Sequence, residues 1–163
     1  MKYLTLISLV MSLLTFKCVK AQKKSFGYNS LNIKNQNVLS IAKEIANYNS
    51  IEESAIGVAG SKGSQYIRFE ELMKEANENE LIELTKHPNP AVRGYAFWGL
   101  AHLKSSQLEK IIDQHIDDKE KIEYVSGCEI LSYTVIQIMI DAATPVLSKE
   151  KIQAFKTKAK IKS

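Results

Sequence analysis

The residues of this chain best suited to chemistry are few: His87, His102, His115 and, beyond the N-terminal segment, Cys128. A zinc site needs three or four such ligands converging. His115 and Asp117 are close in sequence, but there is no HExxH and no paired CxxC, so no metal is expected. Cys128 with His102 or His115 would pair a thiol nucleophile with a base. Glu129 works against this, because an adjacent carboxylate raises a thiol's pKa. A small, buried apolar side chain is the simpler role for Cys128. The run Gly57-Val-Ala-Gly-Ser-Lys-Gly-Ser has the composition of a phosphate loop without its GxxxxGKS/T spacing, and Gly60-Ser61-Lys62-Gly63 is wrongly spaced for a GxSxG elbow. Glu70, Glu71 and Glu75, followed by Glu78, Glu80 and Glu83, read as a solvated acidic face, since carboxylates working as acid and base need unlike environments. No catalytic residue and no cofactor is expected.

Tyr95, Trp98 and His102 are better suited to binding. They recur at i, i+3 and i+7 on one side of a helix, as core residues or as the lining of a groove, and aromatic side chains are effective interface anchors. The helix that must position them is written in "HPNPAVRGYAFWGLAHL", residues 87–103. Asn89 is a good N-cap and Pro90 suits the first helical position. The helix should run from Pro90 to Leu103. Val92, Ala96, Gly99, Leu100 and Leu103 form one apolar face, and Tyr95, Phe97, Trp98 and Ala101 extend it around the others. A helix apolar nearly all round is enclosed by neighbours. Gly94 and Gly99 make sense where another helix crosses closely.

Around this helix the pattern is helical almost throughout. Val38, Ile41, Ala42, Ile45 and Ala46 form one stripe. Residues 49–64 carry three glycines, with Ser50 and Glu53 as a capping box for a short helix through Ala55–Val58. Tyr66, Phe69, Leu72, Met73 and Ala76 mark a helix over 65–76. Asn77 with Glu80 opens a short helix that Pro88 stops. Ser106 and Glu109 open another, with Leu108, Ile111, Ile112 and Ile116 as its stripe. Near 121–133 the β-branched and aromatic residues suggest a short β-hairpin or an irregular insert. A helix over 134–143 ends at Pro145, and Ser148 caps a last one.

"LIELTKHPNPAVRGYA" and "IIDQHIDDKEKIEYVS" align at a spacing of 30 residues, with Leu81 matching Ile111 and Val92 matching Ile122. On Asn89, Pro90, Val92, Arg93, Ala96 and Leu100, the first segment resembles a HEAT repeat of the short type. The resemblance covers about 65–120, and Lys121-Ile122-Glu123 departs from it in the next unit. It implies a mainly α fold, antiparallel helix pairs stacked as a short solenoid over residues 36–163. It also implies protein binding, usually without catalysis, and a structural arginine: Arg93 is expected to meet Asp117 or Asp118. Some relatives of this type are lyases on bound chromophores.

The N-terminus carries an address. Lys2 precedes an apolar run from Leu4 to Phe16, and Val19 and Ala21 suit a signal peptidase, so residues 1–21 read as a secretory signal peptide and 22–35 as an irregular leader. A retained anchor and a lipoprotein acylated on Cys18 are the alternatives. The segment is short for a membrane span, so contact with a membrane is expected only through the signal peptide before cleavage. Its removal takes Lys2, Lys17 and Lys20 from the 22 basic residues and none of the 18 acids, leaving 19 against 18. Six of the remaining lysines sit at 149–162, so the body lacks the basic stripe that nucleic acid needs. One remaining cysteine excludes an internal disulfide. The expected function is an exported, non-catalytic module that binds another, unknown protein in the periplasm or outside the cell. The alternatives are a lyase-like or other enzyme and an envelope inhibitor or immunity-type protein. N-terminal sequencing of the chain recovered from the envelope or medium should begin at Gln22; a chain still starting at Met1 would remove the cleavage reading in favour of the retained anchor.

Overall fold

The computed structural model describes residues 31–161. In chain order these form α1 (Gln36–Ala46), β1 (Ser50–Ile56), α2 (Ser64–Glu75), α3 (Glu78–Leu84), α4 (Pro90–His102), α5 (Leu108–Gln114), β2 (Lys121–Gly127), β3 (Glu129–Thr134), α6 (Val135–Ala143) and α7 (Lys149–Lys158). The signal-peptide reading of 1–21 and most of the leader fall outside the described residues. The end of the leader is anchored, with Leu31 and Ile33 buried. No helix among the described residues is long and apolar enough to cross a membrane.

The sheet corrects the expected mainly α solenoid. β1 pairs parallel with β2, and β2 pairs antiparallel with β3, so the described chain is α/β, with helices packed on a small mixed sheet. The unit expected to repeat the helix pair does not do so: Val92 lies in α4, whereas its counterpart Ile122 lies in β2. The reason is local chemistry joined to pairing. Residues 121–134 are rich in β-branched and aromatic side chains, and Gly127-Cys128 makes a two-residue turn between Ser126 and Glu129. Gly127, at φ 53, supplies the positive φ that such a turn requires at its first position. The hairpin is no insert, because its β2 strand also holds β1.

β1 replaces the short helix expected near 50–58, and Ser50 with Glu53 forms no capping box. Its residues, SIEESAI, have little strand propensity apart from the isoleucines. Tertiary hydrogen bonds hold it instead. The Tyr95 hydroxyl accepts from the Glu52 N–H at 2.8 Å and donates to the Glu52 carbonyl at 3.2 Å. The buried Gln65 Nε2 donates to the Ser50 carbonyl at 2.9 Å and to that of Tyr48 at 3.1 Å. In return the Glu52 carboxylate accepts from the Gln65 N–H at 2.9 Å. It thereby caps α2, whose own N-cap, Gly63, has no side chain to do so.

Helix α4 runs through the centre, with Val92, Tyr95, Phe97 and Leu100 wholly buried. Its glycines mark close approaches, though not only to helices. A Cβ on Gly94 would lie 2.4 Å from Ile51 of β1, and one on Gly99 would lie 2.7 Å from Met73 of α2. Asn77–Glu80, Asn89 and Ser148 cap their helices. The expected Ser106–Glu109 box does not form; Gln107 is the N-cap of α5, and the Ser105 hydroxyl accepts from its N–H.

Replacing Tyr95 by Phe removes the one group that serves both backbone atoms of Glu52. The variant should lose about 1–3 kcal/mol of stability in urea unfolding, with faster amide exchange at Glu52. An unchanged midpoint and unchanged exchange would mean that the hydroxyl does not hold β1.

Candidate functional site

Two constellations emerge from this packing, one structural and one open to solvent. The first centres on Arg93, in the first turns of α4 and 7% exposed. Its Nε donates to Asp118 Oδ2 at 2.9 Å. Nη2 donates to Asp118 Oδ1 at 3.1 Å and to Glu120 at 2.6 Å. Nη1 donates to the carbonyls of His87 at 2.8 Å and Pro88 at 2.7 Å. All five guanidinium donors are thereby used. Of the two acids expected near Arg93, Asp118 is the partner, while Asp117 is exposed and takes no part. Burial alone would raise the Asp118 carboxyl, but hydrogen bonds from His115 and Arg93 outweigh it and hold the group below its ordinary value.

His87 sits under this network, 2% exposed. Its Nδ1 accepts from the Asn89 N–H at 3.0 Å, which leaves the proton of the neutral ring on Nε2. Burial pushes its pKa down to about 4, and the nearby Arg93 charge acts in the same direction. None of the three histidines meets Cys128, which occupies the turn between β2 and β3 and is exposed, not buried as expected, because pairing of β2 with β3 puts it at the hairpin tip. Among the described residues, no three His, Cys, Asp or Glu side chains come together to hold a metal.

The expected binding trio is divided. Tyr95 is core, wholly buried. His102 is exposed at the end of α4 and lines a wide groove with Phe69 and Tyr66 of α2. Trp98 is half-buried and faces a different cleft, of about 210 Å³. It stacks on Phe69 at 5.4 Å and on Tyr95 at 6.0 Å between ring centroids, so the core holds it from behind. Tyr124 of β2 and Tyr133 of β3 complete the aromatic side of this cleft, their rings 5.1 Å apart. Glu53 accepts from the Tyr124 and Ser126 hydroxyls and ties Tyr124 to β1. Burial, then the bond and charge of Glu53, raise the Tyr124 phenol, so it stays protonated.

The other wall comes from α6 and the turn after it. Ile138, Asp141, Ala142 and Pro145 line it, at the i, i+3, i+4, i+7 spacing of one helix face. The Asp141 carboxylate accepts no hydrogen bond from a described residue. Asp141 is exposed on its outer side, and desolvation by the cleft walls raises its pKa, opposed by the charge of Lys156. Tyr124, Tyr133 and Asp141 are absent from the sequence-based candidates. Asp141 did leave a signal, as the lone acid in the apolar run VIQIMIDAA. The tyrosines left none, because only strand pairing brings them to Trp98. Comparison of this chain with protein-family models, curated proteins and solved structures finds no match.

His87 makes a pH prediction with a definite sign. Its folded pKa, about 4, lies below the ordinary 6.5, so the unfolded chain binds more protons between those values and stability rises with pH across that window. The folded state should lose on the order of 3 kcal/mol as pH falls from about 6.5 to 4. His87→Gln, which keeps an acceptor for Asn89, should flatten that stretch of the stability profile measured in urea. Parallel profiles for the two proteins would show that His87 is not the group responsible.

Proposed function

We propose that this protein is an exported, non-catalytic binding module whose cleft receives a cationic group, a Lys or Arg side chain of a partner protein. The observation that carries this reading is the meeting of Trp98, Tyr124 and Tyr133 with the single carboxylate of Asp141 in one cleft. Aromatic faces attract a cation through the ring quadrupole, by about 0.5–2 kcal/mol depending on desolvation. Asp141 adds an opposite charge, and a bound cation would offset the partial desolvation that now disfavours its ionised form. The cleft is smaller than the roughly 300–1,000 Å³ typical of sites for drug-sized ligands, which suits one side chain. Export rests on the pattern of residues 1–21.

Trp98 is the only tryptophan in the chain, so its fluorescence reports the cleft alone. Titration with N-acetyl-lysine methylamide should quench it, and the uncharged norleucine analogue should not. Asp141→Asn should weaken the lysine response by about fivefold or more, the equivalent of ~1 kcal/mol. Equal responses to the charged and uncharged compounds would remove the cation from the proposal.

A further inference from the structure

The sheet has two edges, and the molecule treats them differently. At the start of β1 outward backbone groups are taken: the Ser50 carbonyl by Gln65, and both groups of Glu52 by Tyr95. Along β3 they are open. Ser126 and Glu129 close a two-residue turn, so hydrogen-bonded pairs alternate from there. Glu129, Leu131 and Tyr133 bond β2, while Ile130 and Ser132 turn their N–H and C=O groups outward. Thr134 belongs to the outward set, and its N–H is met by the Gln137 side chain at 2.8 Å. No described side chain or backbone group does the same for Ile130 or Ser132. The strand also has little of the usual protection of an edge: apart from Glu129 at its start, EILSYT holds no charge and no proline, and its pairing with β2 runs without a bulge. Ile130 is 70% and Leu131 38% exposed.

We propose that β3 accepts, as a fourth strand, an extended segment of another protein whose Lys or Arg side chain enters the cleft of Trp98, Tyr124, Tyr133 and Asp141. The choice of that side chain rests on the reading of the cleft given above; strand addition rests on the open edge. Tyr133 joins the two features, because its backbone is in β3 and its ring lines the cleft. A residue opposite it on an added strand would lie about 5 Å away on the same face. Charge points to a basic segment. The hairpin exposes Glu123 and Glu129 against Lys121, and Asp141 lies beside it. A second copy of this chain would instead set one acidic hairpin against another. Main-chain bonds would supply affinity, and the cleft would select the residue.

The test uses blocked peptides on the full chain, which leaves the protein unaltered. The probes are Ac-Thr-Val-Lys-Val-Thr-NH2, the same peptide N-methylated at alternate residues on its pairing edge, and N-acetyl-lysine methylamide. Trp98 fluorescence gives affinity, and residue-resolved amide exchange reads Ile130 and Ser132. The unmethylated peptide should bind at least about tenfold more tightly than the lysine compound and slow exchange at both amides about tenfold, and methylation should abolish both gains. A lysine response with no gain from the peptide overturns the edge proposal and leaves the cleft reading standing. No response to lysine overturns the cleft reading and, with it, the anchoring residue proposed here. Protection of Ile130 and Ser132 that grows with protein concentration alone also overturns the proposal, in favour of a second copy.

Discussion

The guanidinium of Arg93 is the point on which the rest of this structure depends. Its five donors bind two separate pieces of chain: the turn between α3 and α4, through the carbonyls of His87 and Pro88, and the loop before β2, through Asp118 and Glu120. A buried cation is tolerable only when every donor is met and an opposite charge is close, and breaking such a pair typically costs about 3–5 kcal/mol. Here the condition is fulfilled, and the consequence is positional. The start of β2 is set relative to α4, and the sheet grows from that start.

The sheet then depends on α4 a second time, through Tyr95. A hydroxyl that both accepts from and donates to one residue's backbone acts as a substitute for a neighbouring strand. Gln65 donates to the carbonyls of Tyr48 and Ser50 at the start of the strand. Side chains from two helices thus complete an edge that a weakly strand-forming segment could not complete alone. The cost of leaving buried backbone groups unmet is what drives this arrangement. Ile51, directly under Gly94, supplies the apolar contact that makes the approach close.

The cleft follows from the same frame. Trp98 is backed by Phe69 and Tyr95 in the core, Tyr124 is held by Glu53, and Asp141 rides on a helix that begins where β3 ends. Each of its walls is therefore a rigid element. Such preorganisation limits the ordering that a ligand must cause, which is the largest avoidable loss in binding. The surface that α3 and α4 help to build includes a sheet that a stacked-helix fold lacks.

Some of this was legible in the order of residues alone. Asn89-Pro90 began α4, Asn77 and Glu80 formed a reciprocal cap, and a helix apolar on all sides had to be central, because caps and periodicity act within a few residues. The hairpin near 121–133 was readable as one of two options from its side chains. What the tertiary structure alone decided was the strand at 50–56, the joining of that strand to the hairpin, and the cleft. Each depends on hydrogen bonds or ring contacts between residues tens of positions apart, such as Tyr95 with Glu52 and Glu53 with Tyr124. Local propensity at Ser50–Ile56 pointed the other way, and the need to satisfy buried backbone groups overrode it.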